Sequence, residues 1–131
     1  MKSSNDQISR SLDRYLCAIL MLKKRYFCVR SVDVSHYMNC SKPAVSTSVR
    51  KLEEVGLVVM EPDGNLLLTP AGENRAQELL ERFAFFRNYL TEIGVDALTA
   101  EQEALAVSHV ISDATFALLQ KQLFLSNPDK I

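Results

Sequence analysis

Apolar residues recur at three- and four-residue spacing in the first part of the chain, between Gln7 and Lys23. This spacing puts them on one face of an α-helix. They are Ile8, Leu12, Tyr15, Leu16, Ile19 and Leu20. The pattern predicts an amphipathic first helix over residues 7–23.

The next segment, residues 31–56, predicts two short helices joined by a tight turn. Ser31 can cap a helix that runs to Met38, and Asn39 suits a left-handed turn position. Ser41 can cap a second helix that ends before Gly56. Two short helices in this arrangement are typical of a helix-turn-helix motif.

Two apolar runs, "GLVVM" and "NLLLT", follow this motif and are separated by "EPDG". The Asp63-Gly64 pair is a strong signal for the turn of a β-hairpin. Two helices followed by a hairpin predict a winged helix-turn-helix.

The remaining chain predicts helices. Thr69 and the proline after it can begin a long helix that continues to about Glu92. Thr99 and Gln102 have the spacing of a capping box for a further helix, and Ser112 can cap a last one. The expected fold is mainly α with a small β-hairpin.

Composition agrees with a globular protein, since 47% of the 131 residues are hydrophobic and 24% are charged. The positive charge lies in the first part of the chain. Residues 1–75 hold 11 Lys and Arg against 8 Asp and Glu, whereas residues 76–131 hold 4 against 8. This mild asymmetry is compatible with a nucleic-acid-binding head over residues 1–75 and an acidic partner-binding region over residues 76–131.

No feature of the sequence indicates export or a membrane. No apolar run approaches the ~20 residues of a membrane span, and the polar start lacks the apolar stretch of a signal peptide. Cys17, Cys28 and Cys40 form no Cys-x-x-Cys pair, so neither a disulfide framework nor a zinc knuckle is indicated. We therefore expect a cytoplasmic protein with no membrane partner.

The order of these elements and four strings resemble the iron- and manganese-dependent repressors, the diphtheria-toxin-repressor family. The strings are "VRSVDVSHYMNCSKPAVSTSVRKLEEVGLV", "LLLTPAGENRA", "RNYLTEIGVD" and "SHVISDATFALL". The resemblance covers about residues 8–120. It implies a winged helix-turn-helix DNA-binding domain over residues 1–75 and an α-helical dimerisation domain over residues 76–131, which in the family houses divalent metals. We expect a chain similar to the shorter manganese type, in which the extra barrel of longer members is missing.

The resemblance also implies which residues face DNA, because in the family the second helix of the motif enters the major groove. The residues at its amino-terminal end are Ser41, Lys42, Pro43, Ala44, Ser46 and Thr47. Lys42, Arg50 and Lys51 can reach phosphates, while the small side chains can read base edges. Alternatively, Arg50 and Lys51 belong to a solvated face paired with nearby glutamates. The wing, "EPDGN", has two acids and no base, which lowers the expected DNA affinity.

Most metal ligands that the resemblance implies are missing. The matching positions are Arg14 and Cys17 in the first helix, Phe83 and Arg87 in the long helix, and Leu105, Ser108 and His109 in the fifth. Only His109 keeps the family residue. Manganese and iron sites combine several carboxylate oxygens with imidazole, so no metal cofactor is expected at these positions. We interpret His109 as a former ligand retained for packing or a hydrogen bond.

A rearranged metal site is the open alternative. Its members would be Cys17, Glu101, Glu103 and His109. Acidic residues in the first turn of a helix also favour the helix dipole without binding a metal, which explains Glu101 and Glu103 equally well.

The function expected from these observations is a homodimeric transcriptional regulator that binds operator DNA. We expect the first helix and the helices after Ile93 to form the dimer interface. The alternative is a protein-interaction module whose acidic wing has turned from DNA toward a protein partner. An enzyme is disfavoured, because no nucleophile, base and oxyanion donor occur together in a motif.

Overall fold

The computed structural model describes the backbone of residues 3–126 and the side chains of residues 11–123. The chain is mainly helical with one two-stranded sheet, as predicted. In chain order the elements are α1 (Ser3–Arg25), α2 (Ser31–Met38), α3 (Lys42–Glu54), β1 (Val58–Met60), β2 (Leu66–Leu68), α4 (Pro70–Glu92), α5 (Ala97–Ser108) and α6 (Asp113–Ser126).

The chain forms two compact units, the first running to Glu81 and the second beginning at Arg82. Helix α4 therefore contributes residues to both units. The division into domains of residues 1–75 and 76–131 stays a prediction.

The core of the first unit is built from the apolar faces of α1, α2, α3 and the hairpin. Its largest fully buried members are Leu16, Ile19, Val29, Val34, Val45, Val49, Leu52, Val58 and Leu66. Each of the three helices thus buries one apolar stripe against the others, which holds the helix-turn-helix together.

The turn between α2 and α3 has the predicted geometry. Asn39 adopts the left-handed conformation, with φ 55° and ψ 49°, and the Ser41 hydroxyl accepts a hydrogen bond from the N–H of Ala44 at 3.2 Å. The predicted cap of α2 is wrong, since Ser31 is already helical and Arg30 is the N-cap. The carboxylate of Asp33, in the first turn of α2, accepts from the N–H of this N-cap residue at 2.8 Å.

The predicted hairpin is confirmed. Strands β1 and β2 pair antiparallel, with Val58 opposite Leu68 and Met60 opposite Leu66. Gly64 supplies the positive φ of +92° that the turn needs. The N–H of Leu66 also donates to the carbonyl of Val29 at 2.8 Å, so the segment before α2 lies beside the hairpin.

Helix α4 begins at the predicted cap. The Thr69 hydroxyl accepts from the N–H of Gly72 at 3.0 Å and donates to the carbonyl of Gly56 at 2.7 Å. The first turn of α4 is thereby attached to the end of the helix-turn-helix.

In the second unit, the buried side chain of Arg82 contacts residues of α6 and the turn before it. Its guanidinium donates to the carbonyl of Ile111 at 2.6 Å, pairs with Asp113 and lies over the ring of Phe116. Phe116 also packs edge-on against Phe85. These contacts join α4 to the start of α6.

One helix start in the second unit differs from the prediction. Helix α5 begins at Ala97 with Asp96 as its N-cap, so the capping box assigned to Thr99 and Gln102 is wrong. The Asp96 carboxylate accepts from the N–H of Thr99 at 3.2 Å, and hydrogen bonds from Thr99 lower the pKa of Asp96. The cap of α6 is confirmed, with the Ser112 hydroxyl accepting from the N–H of Thr115 at 3.1 Å.

Candidate nucleic-acid interface

The residues predicted to face DNA share the outer side of α3. Seven of them are exposed: Ser41, Lys42, Pro43, Ser46, Thr47, Arg50 and Lys51. Ala44 is half-buried. The opposite side of the helix, with Val45, Val49 and Leu52, is buried in the core. A helix held by its inner face leaves its outer face, with three cations and small polar side chains, open to a partner.

The end of α3 bears on the alternative that Arg50 and Lys51 pair with neighbouring glutamates. The carboxylate of Glu53 accepts instead from the backbone N–H of Met60, at 3.2 Å. This hydrogen bond attaches α3 to β1, and the side chains of Arg50 and Lys51 are exposed.

The wing loop, residues 61–65, is internally hydrogen-bonded. The Asp63 carboxylate accepts from the N–H of Asn65 at 2.9 Å. The side-chain amide of Asn65 donates to Glu61 at 2.7 Å, and its oxygen accepts from the N–H of Val29 at 2.9 Å. Both acids of the wing therefore take part in contacts that shape the loop.

Two basic residues outside the hairpin also contact this loop. Lys23 donates from Nζ to Asn65 Oδ1 at 3.2 Å, and Arg30 donates from Nε to the carbonyl of Asp63 at 3.0 Å. Sequence reasoning missed both residues, because they lie 42 and 33 positions before the loop residues that they contact. The positive charge that the wing lacks in sequence is thus supplied by α1 and the residue before α2.

Of the metal-ligand positions, two lie on α1. Arg14 is exposed, and Cys17 is half-buried. Burial raises the pKa of the Cys17 thiol to about 12, and the nearby Asp13 carboxylate acts in the same direction. Asp13 accepts two hydrogen bonds from Arg75 of α4, at 3.0 and 3.3 Å. Here α1 presents a cation and a protonated thiol.

The other positions lie in the second unit. The guanidinium of Arg87 lies 5.2 Å above the ring of Phe83. The hydroxyl of Ser108, which is buried, donates to the carbonyl of Leu105 at 2.8 Å. His109 is half-buried and forms the C-cap of α5.

The rearranged metal site has no support among the described residues. Glu101 and Glu103 are exposed on α5. Over the described part of the chain, no group of three or more His, Cys, Asp or Glu side chains could hold a metal ion. Arg14, Phe83, Leu105 and Ser108, at the predicted positions, carry no carboxylate, whereas manganese and iron sites combine several oxygen ligands with imidazole.

No helix in the described part of the chain is long and apolar enough to cross a membrane.

A three-helix head with a hairpin wing and an exposed second motif helix defines a winged-helix protein of the DNA-binding class. The model of the iron dependent repressor N-terminal DNA binding domain matches residues 7–66. The model of the iron dependent repressor metal binding and dimerisation domain matches residues 69–130. The chain belongs to the iron-dependent repressor family, which confirms the predicted resemblance. The homologues are transcriptional regulators, so the expectation of a non-enzyme is also confirmed.

Individual proteins similar to this chain agree with the family assignment. The transcriptional regulator MntR of Salmonella typhimurium is 34% identical over 86 residues, which are 66% of this chain and 55% of that protein. The HTH-type transcriptional regulator MJ0568 of Methanocaldococcus jannaschii is 30% identical over 108 residues, covering 81% and 86% of the two chains. The structure of the manganese regulator SloR has a TM-score of 0.75 at 28% identity, covering 86% of this chain and 53% of that one. The chain thus spans little more than half the length of MntR and SloR.

Proposed function

We propose that this chain is a homodimeric, cytoplasmic transcriptional regulator that binds operator DNA and is not controlled by manganese or iron at the family's usual positions. The observation that carries the proposal is the outer face of α3. Seven of the eight predicted DNA-facing residues are exposed there together, on a helix anchored by Val45, Val49 and Leu52.

The chemistry of this face suits duplex recognition. We expect the exposed cations Lys42, Arg50 and Lys51 to contact phosphates, which would orient α3 in the major groove. Ser46 and Thr47 offer hydroxyls and a methyl group to base edges. Ser41, Pro43 and Ala44 form the start of the helix, where a close approach to the groove needs small side chains.

Selection of duplexes from a random-sequence library tests the proposal. We expect a palindromic site whose half-sites lie about one helical turn apart, as two symmetry-related helices require. The Lys42→Ala/Arg50→Ala variant should weaken binding to all duplexes, and the slope of log K against log salt should fall by about one for each phosphate that is no longer neutralised. Lys121→Ala, which removes an exposed cation of α6, is the matched control. Light scattering establishes that this variant is still a dimer, and it should then change neither quantity.

The alternative function is a protein-interaction module, and the observation in its favour is the acidic wing with Glu61 and Asp63. The same selection separates the two functions. If the folded protein binds no duplex even at low salt, the interaction module replaces the DNA-binding regulator.

Dimerisation is supported by apolar side chains that the second unit leaves in solvent. Ile93, Leu98, Val110 and Leu118 are each 62–67% exposed. Burying such surface stabilises association by roughly 25 cal/mol per Å². The matching family model is described as a dimerisation domain. We propose that the helices after Ile93, which are α5 and α6, pair two subunits together with α1.

Loss of metal control is supported by the donors at the family positions. Arg14 would place a positive charge beside an ion. Burial raises the pKa of the Cys17 thiol to about 12, which adds the cost of deprotonation to metal binding. Phe83, Leu105 and Ser108 supply no carboxylate.

Titration of manganese, followed by calorimetry and by binding to the selected duplex, tests this part. We expect neither tight binding nor a change in DNA affinity. Micromolar binding coupled to a tenfold change in affinity would instead support a rearranged site containing Cys17, Glu101, Glu103 and His109. Repeating the titration with His109→Ala would then show whether that histidine is a ligand.

A further inference from the structure

Arg30 and Asp63 of the wing loop form a charge pair at the junction between the hairpin and the helix-turn-helix. Arg30 immediately precedes α2, and Asp63 lies at the tip of the hairpin, 33 positions later in the chain. The Nε of Arg30 donates to the Asp63 carbonyl at 3.0 Å, while its Nη2 lies 3.8 Å from the Asp63 carboxylate. The guanidinium is therefore anchored to the loop at one edge.

The contact between the two charges is loose. The side chains of Arg30 and Asp63 are 50% and 62% exposed. An ion pair this open is held weakly, because water and salt screen it. A guanidinium has five N–H donors in a planar fork, so the same group can bind a second anion. Phosphate is an anion that this fork matches well.

The position of the pair favours a phosphate of duplex DNA. When the second helix of a helix-turn-helix lies in the major groove, the first helix crosses the DNA backbone. Arg30 stands at the beginning of that first helix, and the wing lies beside it through the hydrogen bond from Leu66 to Val29. Asp63, in contrast, brings a half-solvated negative charge to the same place.

We propose that Arg30, held beside the wing, contacts a phosphate of the DNA backbone. The carboxylate of Asp63 competes for the Arg30 guanidinium, and the phosphate displaces it on binding. Asp63 then lowers the affinity for every duplex, so that the base contacts of α3 decide where the protein stays bound. This inference rests on the proposed DNA-binding function and adds the wing's contribution to it.

Substitution of each partner tests the competition, with the selected duplex and a scrambled duplex of equal length as probes. Asp63→Asn should raise the affinity for both duplexes at low salt by roughly three- to tenfold and steepen the salt slope by about one. Arg30→Gln should lower both affinities by a similar factor and flatten the slope by about one. Arg30→Lys retains the charge without the fork and should keep the wild-type slope.

The double variant separates competition from general charge. In Arg30→Gln/Asp63→Asn, removal of the carboxylate should no longer raise the affinity, because the cation that it occupies is gone. Glu81→Gln, which removes an exposed carboxylate of α4 rather than of the wing, is the control for net charge and should leave both affinities unchanged. Thermal unfolding of each variant establishes that the wing is still folded.

Two outcomes overturn the inference. A folded Asp63→Asn variant whose duplex affinity is unchanged or lower would show that the pair only shapes the hairpin. An equal gain from Asp63→Asn in the presence and absence of Arg30 would show general repulsion instead of competition. If the wild type itself binds no duplex at low salt, the proposed function fails as well, and this result is distinct from the other two.

Discussion

At the scale of single residues, Arg75 and Asp13 form an ion pair that joins α4 to α1. Two nitrogens of Arg75 donate to the two carboxylate oxygens of Asp13, and the side chains are 34% and 14% exposed. The hydrogen bonds with Asp13 raise the pKa of Arg75. A bidentate pair with one mostly buried partner is stronger than an ordinary surface pair.

We expect Asp13→Asn to lower the free energy of unfolding by about 1–2 kcal/mol, because it leaves the guanidinium without its charged acceptor while keeping the shape. Urea denaturation measures the change. The control is Glu78→Gln, since Glu78 lies 3.8 Å from the same guanidinium and is 66% exposed. Its effect should stay within about 0.5 kcal/mol. Equal effects of the two variants would contradict the role given to Asp13.

Cys17 should make the protein unstable in alkali. Its thiol has a pKa of about 12 in the folded chain, against 9.0 for an ordinary thiol, because burial disfavours the thiolate. The folded state thus binds a proton that the unfolded state loses. The resulting stabilisation is complete below pH 9 and is lost as the pH rises toward 12, at no more than about 1.4 kcal/mol per pH unit.

Urea denaturation between pH 8 and pH 11 measures whether the free energy of unfolding falls as the pH rises. Cys17→Ser should show a flatter decline than the wild type, whatever its stability at pH 8. Burial also raises the pKa of Tyr15, but that contribution is common to both proteins and cancels in the comparison. Parallel declines would mean that Cys17 is hydrated in the folded protein.

At the scale of elements, the start of α4 depends on a glycine that packs against the backbone of Leu57, between α3 and β1. A Cβ at Gly72 would lie 2.0 Å from the carbonyl oxygen of Leu57, a distance that no side chain tolerates. The same carbonyl accepts from the N–H of Thr69 at 3.1 Å. The string "LTPAG" thus combines a cap, a first-turn proline and the only side chain small enough for this approach.

Gly72→Ala should destabilise the protein by about 3 kcal/mol or more, since the clash is with backbone and not with a flexible side chain. Gly56→Ala is the comparison. A Cβ there meets nothing within 4 Å, and only the positive φ of +80° opposes it, so its cost should be about 1 kcal/mol. Thermal unfolding ranks the two variants, and an equal loss at both would contradict the packing argument.

At the scale of the whole molecule, the two units differ in how many apolar residues they bury. The first unit encloses a continuous core of helix and hairpin residues. The second unit buries Ala100, Ala104 and Phe116 but leaves several large apolar side chains exposed. A surface of this kind on a small helical unit favours association.

Ile93→Glu/Leu118→Glu should therefore shift the protein from dimer to monomer at micromolar concentration, because a charged side chain in an apolar interface is left without a partner. Light scattering gives the mass directly. Val59→Glu alters an apolar residue of β1 that is 48% exposed in the first unit, and it should leave the dimer intact. A wild-type monomer would rule out the proposed dimer altogether.

The sequence by itself determined the helices and strands and many of the caps and turns that bound them. The helical stripes, the hairpin turn at Gly64 and the caps at Ser41, Thr69 and Ser112 all depend on residues within a few positions of one another, so local chemistry suffices to predict them. The exposed face of α3 follows in the same way from the burial of Val45, Val49 and Leu52. The family strings added the assignment of that face to DNA.

Tertiary structure decided what local chemistry leaves open. The cap of α2 is Arg30 with Asp33, and the cap of α5 is Asp96, because neighbouring polar residues compete and the path of the backbone selects one. Contacts between residues that are far apart in the sequence are even less predictable from local patterns. Lys23 and Asn65 are 42 positions apart, and Asp13 and Arg75 are 62 apart. No periodicity encodes such pairs, since they meet only when the core has brought their elements together.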